Sequence, residues 1–188
     1  LAMNHENLIT DRMHAIDASG IRRVFDLAAE LESPINLSIG QPDFDVPQPI
    51  KDSAIAAIEN GLNRYTQSQG TAELRQAVRQ QLQQQYPESY GDDAPPWDVM
   101  ITSGVTGGLA LALMCCAQPG DEVILADPYF VSYKHLITLS GATPVFVDTY
   151  PDFQMTAERV ESALNDRTKM VLFNSPANPT GAVADQSL

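Results

Sequence analysis

Three segments of the 188-residue chain combine residue types and spacings that could do chemistry, and each follows a short apolar run. The first is ITSGVTGG, residues 101–108. Its small residues allow close backbone approach to an anion, and the unpaired N–H groups and dipole of a helix opening there attract negative charge. The segment is therefore a candidate phosphate cradle, with a tight structural turn as the alternative. It is neither GxxxxGK[ST] nor GxGxxG, which disfavours a nucleoside triphosphate or a dinucleotide. The second is PGDEVILADPYFVSYKHL, residues 119–136, where a strand ends at Asp127 and Pro128 and presents Tyr129 and Phe130. Open α/β sheets bind ligands at the carboxyl edge, so an aromatic there either stacks on a flat ring or packs into the core. The third is FNSPANPTGAV, residues 173–183, with Asn174, Asn178 and Thr180 set among Pro176, Pro179 and Gly181. Two prolines and a glycine stiffen that backbone, so it is either a rigid turn or a frame that holds Asn amides at fixed positions. The Asn178–Pro179 peptide is a candidate cis bond.

These segments need a scaffold that brings strand ends together. From Trp97 onward the chain carries four short apolar runs, VMIT (99–102), EVILA (122–126), TPVFV (143–147) and KMVLF (169–173), each separated by room for one helix or crossover. Continuous rather than alternating apolarity fits parallel strands covered by helices on both faces, so the pattern predicts an open α/β sheet. Between the first two runs, VTGGLALALMCCA is apolar on nearly every side and predicts a buried helix, with Cys115 and Cys116 as buried small hydrophobes. Upstream, apolar spacing predicts a helix at about 49–60, stopped by Gly61, and a second over Thr71–Tyr86 with a solvated Gln-rich face, ended by Pro87. Residues 87–96 read as an exposed polar loop, and the first 45 or so as an arm, with no Gly/Ser linker dividing the chain.

Composition narrows the function classes. A net charge of −13, from 24 acidic against 11 basic residues, opposes nucleic acid and anionic membrane surfaces. The longest nearly uninterrupted apolar run, Leu109–Ala117, is far short of the roughly 20 residues a membrane-spanning helix needs. The first residues hold no apolar signal region, and two adjacent cysteines make a poor disulfide, both in keeping with a cytoplasmic setting. His5, His14 and His135 are scattered without metal-ligand spacing, so no metal site is expected.

In order and spacing, SIGQPDF, RYTQSQGTAELR, SGVTGG, PGDEVILADPYF and NSPANPTG together resemble the class I/II aminotransferases, with the aspartate aminotransferase fold of pyridoxal-phosphate enzymes. The resemblance runs from about Ala15 to Val183 and implies a three-layer αβα sandwich. Residues 46–188 would be the first half of the cofactor-binding large domain, and residues 1–45 an arm and small-domain segment. It also implies that Gly104, Val105 and Thr106 cradle the cofactor phosphate, Phe130 stacks on the pyridine ring, and Asn178 hydrogen-bonds the phenolic oxygen and faces the substrate. Gly40 would lie beside the substrate carboxylate. Tyr65 would reach the phosphate of a neighbouring subunit's cofactor, which implies a homodimer with shared active sites.

Transamination needs a lysine that holds the cofactor as a Schiff base and then acts as general base. The three lysines here, Lys51, Lys134 and Lys169, stand on expected helix surfaces or strand edges. In the family that lysine follows NPTG, so it is expected beyond Leu188. Leu1 and Ala2 precede Met3 and the chain ends in ADQSL, where a helix would be starting. The expectation is the N-terminal portion of an aminotransferase moving an amino group between an amino acid and a 2-oxo acid by a ping-pong route, inactive alone. A lyase or synthase of the same fold, or a non-catalytic pyridoxal-phosphate-binding module, is the alternative.

Overall fold

The computed structural model describes residues 8–16, 24, 27, 31–33, 35, 40 and 42–184. Positions 38, 39 and 41 of SIGQPDF lie outside the described residues. In chain order the elements are α1 (Asp11–His14), α2 (Gln48–Glu59), α3 (Ala72–Gln85), α4 (Pro87–Tyr90), α5 (Gly104–Cys116), β1 (Glu122–Asp127), α6 (Ser132–Ser140), β2 (Thr143–Asp148), α7 (Ala157–Ala163) and β3 (Thr168–Leu172). They fall into two compact units, residues 23–103 and residues 1–22 with 104–188, so the division passes through the Ser103–Gly104 bond without a linker.

In the first of these units, α2 carries Pro49 in its first turn, where a missing N–H costs nothing. Helix α3 is capped by Thr71, whose Oγ1 accepts the Leu74 N–H at 3.4 Å, and has Glu73 in its first turn beside the positive end of the helix dipole. The segment expected as a loop from Pro87 instead opens with the single turn α4, because Pro87 is as suitable for starting a helix as for ending one. The VMIT run is not a strand. Arg75 Nε donates to the Val99 carbonyl at 2.8 Å, Arg79 donates to the Trp97 carbonyl at 2.9 Å, and the Ile101 N–H goes to the Gln69 carbonyl at 2.9 Å. Side chains of α3 thus take carbonyls that a sheet ladder would use. The Arg79 guanidinium also lies 4.4 Å from the Trp97 ring centroid, with the Tyr90 ring 4.9 Å away on edge, and Asp98 pairs with both arginines.

The other unit holds the three described strands, all parallel, in the order β2-β1-β3. β1 aligns with β2 from Glu122↔Thr143 to Asp127↔Asp148, and with β3 through Val123↔Met170 and Leu125↔Leu172 after an irregularity at Glu122/Val123. This is the mixed α/β, parallel-sheet architecture expected from the spacing of the apolar runs. Central β1 is buried across Glu122–Leu125, while β3 alternates between half-buried and exposed positions and β2 buries only Val147. The expectation of cover on both faces therefore holds for β1 alone, since the other two form the outer strands of the described sheet. Leu113 and Ala117 at the α5 end meet Val123, Leu125, Ile137 and Ala142 in one core cluster, and Ile124 points to the opposite pleat. Helix α6 stops at Gly141, whose φ of 92° is a left-handed cap, and an added Cβ there would come within 3.0 Å of the Pro119 ring.

Helix α5 corrects a further expectation. Only Leu113 is buried along it, and Val105, Leu111, Met114, Cys115 and Cys116 are exposed. An all-apolar helix can bury only the stripe that a neighbour covers, and here α6 and the sheet cover one.

Candidate functional site

An open cleft lies beyond the carboxyl ends of β1 and β3 at the amino end of α5. Val105, Thr106 and Leu109 line it from α5, Phe130 from the β1–α6 connection, Ser132 and Tyr133 from the first turn of α6, and Asn174, Pro176 and Asn178 from the segment after β3. Four residues singled out from the sequence, Val105, Thr106, Phe130 and Asn178, therefore share one cleft. Gly104 opens the helix at that wall with φ +66°, and no heavy atom stands within 4 Å of where a Cβ would be. A side chain would be strained there by the positive φ, which glycine adopts freely. None of the nine lining residues is a carboxylate, in a chain with 24 acidic residues. A 13-residue helix whose first turn faces that acid-free wall suits an anionic group.

The two adjacent aromatics part ways. Tyr129 stacks on Phe146 of β2, with centroids 5.0 Å apart and planes at 25°, and so packs against the sheet. Phe130 turns into the cleft, with its ring edge-to-face against Tyr133 at 5.5 Å and 76°.

The Asn-Pro segment is both a rigid turn and a frame. The Ala177 N–H donates to the Ala182 carbonyl at 2.8 Å and the Gly181 N–H to the Ala177 carbonyl at 2.7 Å, closing a loop around Asn178. The Thr180 hydroxyl accepts the Ala182 N–H at 3.2 Å, and Ser175 Oγ accepts the Ala184 N–H at 2.9 Å, so these two side chains hold the turn itself. Asn178–Pro179 is cis, as is Ser175–Pro176. Asn178 lies inside that closed loop and lines the cleft.

A second, narrower cleft adjoins the first and shares Tyr133, Asn174 and Asn178 with it. Its far wall is the β2–α7 connection, where Phe153, Gln154 and Met155 stand. Arg159 of α7 shapes that connection: its guanidinium donates to the Thr149, Tyr150 and Gln154 carbonyls and to Asp152 Oδ1 at 2.7 Å. The arginine beside it, followed by the Gln154 N–H, holds the Asp152 carboxyl below the ordinary carboxylate range.

Gly40 and Tyr65 belong to the other unit, where Gly40 has open space around it and Tyr65 is fully exposed. Among the described residues no group of His, Cys, Asp and Glu could hold a metal ion, and no helix is long and apolar enough to cross a membrane. Lys134 and Lys169 do not line the cleft, and Lys51 pairs with Asp45. Asn174, a candidate of the third segment, lines the cleft as well, as the second residue past β3, while Leu109, Ser132 and Tyr133 were not singled out as site residues. Tyr133 stands three positions after Phe130, and that offset is the signal that marks it.

A family model described as aminotransferase class I and II matches residues 32–187. The chain is 37% identical to the aromatic-amino-acid aminotransferase 2 of Thermococcus litoralis, over 93% of its own length and 45% of that protein's. It is 36% identical to the aspartate aminotransferase of Pyrococcus abyssi over the same shares. Among solved structures, the aspartate aminotransferase of Thermotoga maritima superposes with a TM-score of 0.87 at 36% identity, covering 95% of this chain and 48% of that one. The chain thus spans just under half the length of the curated relatives it matches.

Proposed function

The chain belongs to the aminotransferase class I and II family, and on that premise we propose that it supplies the cofactor-holding part of a pyridoxal-phosphate-dependent aminotransferase, acting on an amino acid and a 2-oxo acid. The observation that carries the reading is the meeting of Val105, Thr106, Phe130 and Asn178 in one acid-free cleft at the amino end of α5. The cofactor, when bound, supplies an electron sink for the bond to be broken on the substrate.

This chain's residues would hold and orient that group. The backbone at Gly104 and Val105, with the Thr106 hydroxyl, would bind its phosphate with helix-end N–H donors and the helix dipole. Phe130 would cover one face of the ring and fix its tilt, and Asn178, immobilised by its closed turn, would donate its amide to the phenolic oxygen and stand at the substrate side. Gly40 would bring backbone to the substrate carboxylate. Tyr65, exposed in its unit, would reach the cofactor phosphate of a second copy in a cytoplasmic homodimer. In this reading residues 46–188 form the first half of the cofactor domain, following the arm.

With the protein expressed from its complete reading frame, an amino acid and 2-oxoglutarate should yield the matching oxo acid and glutamate. Release of ammonia with a cleaved side chain would point to a lyase instead. The 188-residue chain by itself should give no oxo acid with added pyridoxal phosphate, since neither Lys134 nor Lys169 lines the cleft. Sustained turnover there would overturn the reading.

A further inference from the structure

Within the cleft just described, one ring has no assigned role. Tyr133 lies one helical turn beyond Phe130, its N–H donating to the Phe130 carbonyl at 2.9 Å and its ring meeting the Phe130 ring edge-on at 5.5 Å. The same side chain packs against the core cluster of Leu113, Val123 and Ile137. It also lines three neighbouring clefts along this edge: the one that holds Phe130, the one beyond Asn178, and one between α5 and β3. Phe130, by contrast, lines only the first of these.

We propose that Tyr133 is a positioning residue, a strut between the buried core and the Phe130 ring that fixes the plane on which a flat aromatic ligand is received. The argument is mechanical. An aromatic ring at a cleft wall has two soft torsions, and a ligand that stacks on it loses binding free energy if the ring must first be ordered. An edge-to-face neighbour anchored in packed side chains removes that cost in advance, because the positive rim of one ring meets the negative face of the other in a preferred geometry. Backbone N–H groups at Gly104–Thr106 are set by α5 and do not depend on Tyr133. The strut should therefore act on the ring half of the ligand and leave the phosphate half alone.

The proposal rests on the cofactor reading, and its test separates the two. Pyridoxamine 5′-phosphate carries both ring and phosphate without a carbonyl to react with lysine, while inorganic phosphate probes the helix end alone. Both are titrated by calorimetry into the protein expressed from its complete reading frame, and into Tyr133→Phe and Tyr133→Leu, the latter keeping apolar bulk in the core. The expected result is about three- to ten-fold weaker pyridoxamine phosphate binding in Tyr133→Leu, the worth of one aromatic pair, with unchanged phosphate affinity and full retention in Tyr133→Phe. Equal weakening of both ligands would make Tyr133 a general support of the fold and overturn the proposal, as would unchanged affinity for both. Failure of the unaltered protein to bind pyridoxamine phosphate would remove the cofactor reading and this proposal with it.

Discussion

The two ends of the three-stranded sheet are built from the same three strands and treated in opposite ways. At the amino end polar groups consume one another. Glu122 is nearly buried, and its two carboxylate oxygens accept from Asn165 Nδ2 at 2.7 Å and Arg167 Nε at 2.8 Å. The Glu122 N–H donates to the Arg167 carbonyl at 2.8 Å, the Thr143 N–H to the Asp121 carbonyl at 2.9 Å, and the Gln118 N–H to Asp121 Oδ2 at 3.0 Å. At the carboxyl end Val105 and Thr106 from the first turn of α5, the Phe130 ring, and Asn174 and Asn178 line open clefts, beside one internal pair in which the Thr149 hydroxyl donates to the Asp127 carbonyl at 2.7 Å. A buried polar group is stable only when satisfied, and groups that pair internally are not available to a ligand. On the proposed function the amino edge serves stability and the carboxyl edge recognition.

That contrast can be broken or sharpened by substitution. The largest effect on the fold should come from the strand joining both ends: Leu125→Ala, at a fully buried position, should cost roughly 2–5 kcal/mol in urea unfolding. Next is Asn178→Ala, expected to weaken pyridoxamine phosphate binding by about ten-fold or more through loss of a hydrogen bond to a charged partner, with stability within about 0.5 kcal/mol. If stability fell instead, the carboxyl edge would be structural as well. Arg167→Ala should do the reverse, lowering the urea midpoint while leaving that affinity unchanged.

The smallest effect is in the pH profile. Hydrogen bonds from Asn165 and then Arg167 hold the Glu122 carboxyl below the usual value for glutamate. A carboxyl lowered on folding stabilises the native state above its unfolded pKa, and that contribution is lost as pH falls through the lower, folded value. Stability should thus be flat near neutrality and decline below about pH 4.5. In Glu122→Gln the decline should be shallower, and an identical acid limb would deny the amino edge its role.

Much of this was legible from the residues. EVILA, TPVFV and KMVLF mark the strands because a β-branched apolar run of strand length has few other uses, and the ends of EVILA and KMVLF mark the segments that hold Phe130 and Asn178, though singling those two out from Tyr129, Asn174 and Thr180 rests on the family resemblance. VMIT carries the same signal and is not a strand, because partners 20 or more residues away, Arg75 and Gln69 among them, take its polar groups, and no local pattern reports that. The exposure of Cys115, Cys116 and Met114 was equally hidden, since a helix apolar all round does not say which stripe its neighbours cover. At the site, Val105 and Thr106 were readable from small residues before a helix. Tyr133 was not, as its role depends on the tilt of one ring against another.

The Arg159 clasp has a different kind of consequence. All its partners, Thr149, Tyr150, Asp152 and Gln154, lie within ten residues of it in the chain. Closing so short a loop sacrifices little chain entropy. Thr149, buried at the start of the connection, donates its hydroxyl to the Asp127 carbonyl of β1 at 2.7 Å. Shape and placement are thus separable, with the guanidinium gathering residues 149–159 into their turn and Thr149 mooring that turn to the sheet.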